Sequence, residues 1–224
     1  ASHIRGERET ILEAVGEAIR IGREAGTAVQ ISHNAPKYGA PCDATANLAL
    51  VEEARARGQD VTVDNDVHTD LGVRLPWALP QHLQDRPVEQ IQALLRDPGA
   101  RGRVRQEIIE DRRPGFGPAG LLRHARFERI VLLYASQTPE VTGKSIAALA
   151  EARGQDPFDV YFDLIVANGE GVEAAFDYID PKNIRLLLQH PAVMICSDGQ
   201  VVPDGDESGE RTAYGPCDYG EFAG

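Results

Sequence analysis

A parallel α/β fold of the TIM-barrel type is what this 224-residue sequence predicts. Three observations lead there. Two histidines and an aspartate each close a short apolar run: Ser2-His3-Ile4-Arg5, Val29-Gln30-Ile31-Ser32-His33 and Val193-Met194-Ile195-Cys196-Ser197-Asp198-Gly199. Such runs read as buried parallel strands. Helical periodicity alternates with them early in the chain, as in a βα series. In an α/β barrel the C-terminal ends of strands form the active-site rim, and two neutral imidazoles with a carboxylate at one rim suit a catalytic zinc ion.

The elements follow in order. After the His3 strand, residues 9–24 carry Ile11, Leu12, Val15, Ala18, Ile19 and Gly22 at helical spacing, ending near Gly26. Residues 27–32 form the second strand. A loop over 34–41 leads to a helix capped at Asp43, with Leu48, Leu50, Val51 and Ala54 periodic and Gly58 at its end. Residues 60–64 make the third strand. From Leu75 to about Arg126, Pro76, Pro80, Pro87, Pro98, Pro114 and Pro118 punctuate helices over 88–96 and 99–112, the mark of a helical insertion or lid. Regularity returns with a strand at 129–136, helices at 144–153 and 157–168, a weaker strand at 173–178, a helix at 181–189 and the strand ending at Asp198. The predicted layout is therefore βα units over 1–74, the insertion over 75–126, further βα units over 127–199 and a C-terminal loop over 200–224.

Composition narrows the class. With 42% hydrophobic and 26% charged residues the chain is an ordinary globular sequence. Its net charge of −12 argues against nucleic acid or an anionic membrane as partner. Cys42, Cys196 and Cys217 are odd in number and widely spaced, with no CxxC. That pattern points to a reducing, cytoplasmic home. No stretch has the length of a membrane span, and no signal segment opens the sequence.

The chemistry-bearing residues separate into a strong group and a weak one. His3 and His33, each preceded by Ser, end successive strands and are read as metal ligands. Asp198 either closes an Asp-Gly turn or serves as ligand and proton carrier, and the histidines favour the second. Arg5 and Glu7 are expected to pair or to orient the site. Asp64, Asp66 and His68 cluster after the third strand, where one of them lines a substrate pocket or all are solvated. Lys37 and Arg211 offer positive charge for a substrate carboxylate. Gly143-Lys144-Ser145 lacks the glycine spacing of a phosphate-binding loop, and Thr142 is the simpler helix cap. Cys196 reads as a buried strand residue.

These segments, in this order, resemble the N-acyl-D-amino-acid deacylase (D-aminoacylase) family of metal-dependent amidohydrolases. The resemblance runs through Ser2-His3-Ile4-Arg5-Gly6-Glu7, Gln30-Ile31-Ser32-His33, Asp60-Val61-Thr62-Val63-Asp64, Thr142-Gly143-Lys144-Ser145, His190-Pro191 to Gly199, and Tyr214-Gly215. It implies that the chain corresponds to roughly the second half of an amidohydrolase barrel holding one or two zinc ions (Zn2+). His3 and His33 would come from its fifth and sixth strands, and Asp198 from its eighth as catalytic acid/base. The implied reaction is hydrolysis of an amide C–N bond in a small N-acylated substrate, with His68, Lys37 and Arg211 on the substrate side. Alternatives are a cyclic amide or ester substrate, or a non-catalytic half that binds a partner. The family's His-x-His pair is absent here, and an open half barrel exposes strand edges. A second chain carrying the N-terminal half is therefore an expected partner.

Overall fold

The computed structural model describes residues 1–110, 122–123 and 126–197, which divide into two compact units. Of the described residues, the first holds 1–69 and 179–197, and the second holds 70–110, 122–123 and 126–178. Among the described residues no helix is long and apolar enough to cross a membrane.

The first unit is a parallel sheet backed by helices. Helix α1 (Ile11–Ala25) buries Ile11, Val15 and Ile19, at the spacing its sequence predicts. Its Gly22 marks a close crossing, since a Cβ there would meet Val29 Cγ2 at 2.0 Å. Strand β1 (Val29–Ile31) pairs in parallel with β2 (Val61–Asn65), Val29 opposite Val61. Between them α2 (Ala44–Ala56) starts at Asp43, whose side chain accepts the Thr45 N–H. On the other side of β1, Ser2 forms a parallel bridge to Ile31. The predicted first strand thus contracts to one bridge, with the Ser2 N–H donating to Gln30 O at 2.9 Å. Ile4, Ile31, Val51, Val61 and Val63 share the core with α1.

Chain order and strand order then part company. The excursion to the second unit intervenes before α8 (Pro181–Leu188) packs on α2 and the last strand (Val193–Ile195) pairs in parallel with β2. The Ile179 N–H donates to Thr69 O at 3.1 Å where the excursion begins and ends. The last strand is short, and its Met194 and Ile195 are exposed. Cys196, expected inside a buried strand, follows it half-buried.

The second unit is not a continuation of the βα series. Strands β3 (Asp70–Arg74), β4 (Ile130–Ala135) and β5 (Val172–Asp177) form an antiparallel sheet in the order β3-β5-β4. The strands expected at 129–136 and 173–178 are real, but they pair antiparallel with each other, and β3 completes the sheet on the far side of β5. Sequence patterning misses β3 because Asp70-Leu71-Gly72-Val73-Arg74 offers only two apolar residues around a glycine. The helices are α3 (Gln81–Gln84), α4 (Val88–Leu95), α5 (Pro98–Glu110), α6 (Ile146–Arg153) and α7 (Pro157–Asn168). Asp156 caps α7 with Pro157 at its first position. Ser145, not Thr142, caps α6 by accepting the Ala148 N–H. Tyr161, Phe162, Phe176, Leu95 and Ile130 fill the interior.

The first unit thus lines up four parallel segments in the order Ser2, β1, β2 and the last strand. Among the described residues no closed barrel forms. Residues 127–178 belong to the antiparallel unit.

Candidate metal centre

His33 sits just past the C-terminal end of β1 and has a left-handed backbone, φ 38°. A non-glycine residue in that region carries strain of order 1 kcal/mol and persists only where its surroundings hold it. Asp64, at the end of β2, does the holding. Its Oδ1 accepts the His33 N–H at 2.8 Å, and its Oδ2 accepts from Ser32 Oγ at 3.3 Å and from Gln30 Nε2. Burial pushes the Asp64 carboxyl up, but the His33 N–H, Gln30, Cys196 and Ser32 outweigh it and hold the group below the usual carboxylate range. Next along, Asn65 Oδ1 accepts the Ala35 N–H at 2.8 Å, and Asn47 Nδ2 donates to Asn34 O at 3.2 Å. The amide of Asn183 donates to Pro36 O at 3.1 Å. The loop after β1 is stapled residue by residue.

That scaffold presents an imidazole pair. His3 Nδ1 and His33 Nε2 lie 2.7 Å apart, with ring centroids at 4.5 Å. His33 Nδ1 in turn is 3.0 Å from Glu7 Oε1, and Lys37 Nζ is 3.5 Å from the same oxygen. Glu7 and Lys37 are both buried. Burial raises the Glu7 carboxyl, yet the His33 hydrogen bond and the Lys37 charge together hold it below its ordinary value. An ionised carboxylate only accepts, so His33 Nδ1–H donates to Glu7, and in a neutral imidazole this leaves the lone pair on Nε2. In the neutral pair His3 Nδ1–H then donates to His33 Nε2.

This donor set fits a zinc ion. Two imidazole nitrogens on one tetrahedral zinc stand about 3.3 Å apart, given bonds of about 2.05 Å. The observed 2.7 Å needs an opening of roughly half an ångström, which the exposed His3 can supply. Donor atoms of His3, Glu7 and His33 all lie within 4.8 Å of one another. Glu7, however, addresses the ring nitrogen of His33 that faces away from His3, so it serves as the partner of a ligand.

The sequence-predicted residues are distributed unevenly. His3 and His33 come together as expected. Asp198 and Arg211 lie outside the described residues. Lys37, expected to face a substrate carboxylate, faces Glu7 instead. Arg5 pairs with Glu17, not Glu7, at 2.8 Å from its Nε. His68 lies in the turn before β3, its N–H donating to Asp66 Oδ1 at 3.1 Å. Sequence reasoning undervalued Glu7 and Asp64. The available signal was position: Asp64 ends the Asp60-Val61-Thr62-Val63 run just as His33 ends its own. Asn34 was overlooked altogether. It is 1% exposed, and neither side-chain amide atom has a hydrogen-bond partner among the described residues.

The comparisons with known proteins meet this geometry. No protein-family model matches the chain. It is 27% identical over 203 residues to the D-aminoacylase of Alcaligenes xylosoxydans xylosoxydans and 25% over 201 residues to the N-acyl-D-glutamate deacylase of the same organism. Its relatives are a D-aminoacylase and an N-acyl-D-glutamate deacylase. These matches cover 89% and 88% of this chain but 31% of each relative, so the chain spans about a third of the length of the curated relatives it matches. Among solved structures, a D-aminoacylase that defines a subset of amidohydrolases matches with TM-score 0.51 and 25% identity, over 88% of this chain and 31% of that one. The N-acyl-D-glutamate deacylase from Bordetella bronchiseptica, complexed with zinc and a phosphonate mimic of the tetrahedral intermediate, also scores 0.51. At 21% identity, over 88% of this chain and 32% of that one, it shows the fold alone. A further D-aminoacylase structure, with a binuclear metal centre, matches at 0.51 and 24%, over 88% and 31%.

Proposed function

We propose that this chain carries part of the active site of a zinc-dependent hydrolase that cleaves the amide C–N bond of an N-acyl-D-amino acid. The observation that carries the reading is the facing pair His3 Nδ1 and His33 Nε2, 2.7 Å apart at the end of parallel strands, in a chain related to D-aminoacylases. His3 and His33 hold the ion. When bound, zinc supplies a Lewis acid for the amide carbonyl and lowers the pKa of water from about 15.7 to about 7. Asp198 takes a proton from the attacking water and returns it to the departing amine. Arg211 grips the substrate carboxylate and His68 lines its approach. Lys37 is left out of the substrate's contacts because its ammonium is buried against Glu7.

The partner we propose is a second chain carrying the remaining barrel strands. The supporting fact is that the chain spans about a third of the length of the curated relatives it matches.

The experiment is metal content with intact mass on the native protein, followed by an assay on N-acetyl-D-amino acids. One or two zinc equivalents and D-selective deacylation are expected. A metal-free protein with no deacylation overturns the reading, and a single longer polypeptide overturns the second chain.

A further inference from the structure

Glu7 and Lys37 form a buried ion pair that neither the fold nor the substrate explains. Side-chain exposures are 6% for Glu7 and 3% for Lys37. A buried pair seldom stabilises a fold more than apolar residues of equal volume, so its presence at this place asks for another reason. Backbone geometry adds a second tie, since the Lys37 N–H donates to Glu7 O at 2.9 Å. The loop carrying Lys37 is thereby fixed to the segment carrying His3 and Glu7. One end of the resulting chain of contacts is Lys37 Nζ, and the other is His3 Nδ1. Between them Glu7 Oε1 meets His33 Nδ1, and His33 Nε2 meets His3.

Neutral histidine exists in two forms, and only the one protonated at Nδ1 leaves Nε2 free to bind a cation. In water the two forms interconvert freely. A carboxylate fixed beside Nδ1 selects one of them and fixes the ring's rotation as well. We propose that Glu7, clamped by Lys37, is a positioning residue that locks His33 in its Nδ1–H form and turns Nε2 toward His3. The inference rests on the metal reading of the two histidines. It gives Lys37 a role different from the one its sequence suggests: it acts on the metal centre through Glu7 and leaves the substrate to other residues.

Nitrogen-15 NMR of the histidine rings in the metal-free 224-residue chain tests this, with the His33 signals assigned from a His33→Ala spectrum. A single Nδ1–H form is expected for wild-type His33. Glu7→Leu should yield a mixture of forms and a zinc affinity 10- to 100-fold lower. Glu7→Gln, whose amide oxygen still accepts, should restore the single form and much of the affinity. Lys37→Met should shift both readouts in the direction of Glu7→Leu, by less. An Nε2–H form in wild type, or an unchanged single form in Glu7→Leu, overturns the proposal; the wild-type spectrum decides even where a variant does not fold. Because ring protonation is read without metal, absence of zinc binding by the wild-type chain counts against the proposed function and leaves this test standing.

Discussion

The two units bury different kinds of side chain. Around the ends of β1 and β2 the parallel unit places Glu7, Arg8, Asn34, Lys37, Asn47, Asp64, Asn65 and Asp66 out of solvent. The antiparallel unit fills its interior with Tyr161, Phe162, Phe176, Leu75, Leu79 and Ile91, and among its described residues only Asn168 and Glu173 are buried polar side chains. Apolar burial stabilises by about 25 cal/mol per Å², whereas each buried polar group must be matched or it costs about 1–3 kcal/mol. The contrast teaches where each unit's demands lie. The antiparallel unit is organised for stability, and the parallel unit carries a polar rim whose purpose is to hold His33 in a strained, oriented pose.

The sharpest way to break that contrast is Asp64→Ala. It removes the acceptor for the His33 N–H, Gln30 and Ser32 together, and should cost about 4 kcal/mol in urea unfolding. A cost below about 1 kcal/mol would mean the rim is ornament to the fold and does not hold it. The pH dependence has a definite sign. With its folded pKa depressed, Asp64 contributes stability that is full above its unfolded value of about 3.9 and is lost as pH falls through the folded one.

Glu173 is the antiparallel unit's exception and offers the opposite test. Its carboxylate lies over Gly72, where a Cβ would come within 2.8 Å of Oε1. Burial pushes its pKa up to about 7 from 4.5, against the opposing charge of Arg74. The folded state therefore holds the proton more tightly, and stability falls as pH rises from about 4.5 to about 7. Glu173→Gln should gain about 2 kcal/mol at pH 8 and nothing at pH 4, read as melting temperatures at the two pH values. Equal melting at pH 8 would place the carboxylate in water. Smallest of the three is Tyr161→Phe. The buried hydroxyl donates to Leu75 O, and its loss should cost about 1 kcal/mol by denaturant unfolding. A cost like that of Asp64→Ala would erase the distinction between the units.

Much of this was legible in the residues. Helix α7 begins at Pro157 and ends at Asn168 as its pattern predicts, because Asp156-Pro157 is a cap and first-turn pair with few alternatives. His33 was readable because an apolar strand stops at it. Strand partners were not readable: β4 looks as apolar as a barrel strand, and only β3, with Gly72 and two charged ends, reveals an antiparallel neighbour. Glu7 escaped for a related reason. Its proximity to Arg5 suggested a local pair, whereas Arg5 reaches Glu17 and Glu7 reaches residues 26 and 30 positions away.

The hydrogen bond from Ile179 to Thr69 has a consequence for how such a protein can vary. To the parallel sheet, everything from Asp70 to Tyr178 is a single loop whose two ends already touch. Closure entropy grows only slowly with loop length, by about 0.6 kcal/mol per doubling. The segment can therefore lengthen, shrink or be exchanged for a short turn at little cost to β1, β2 and the imidazole pair. Thr69 and Ile179 are the natural cut points for grafting a different segment onto the same parallel unit.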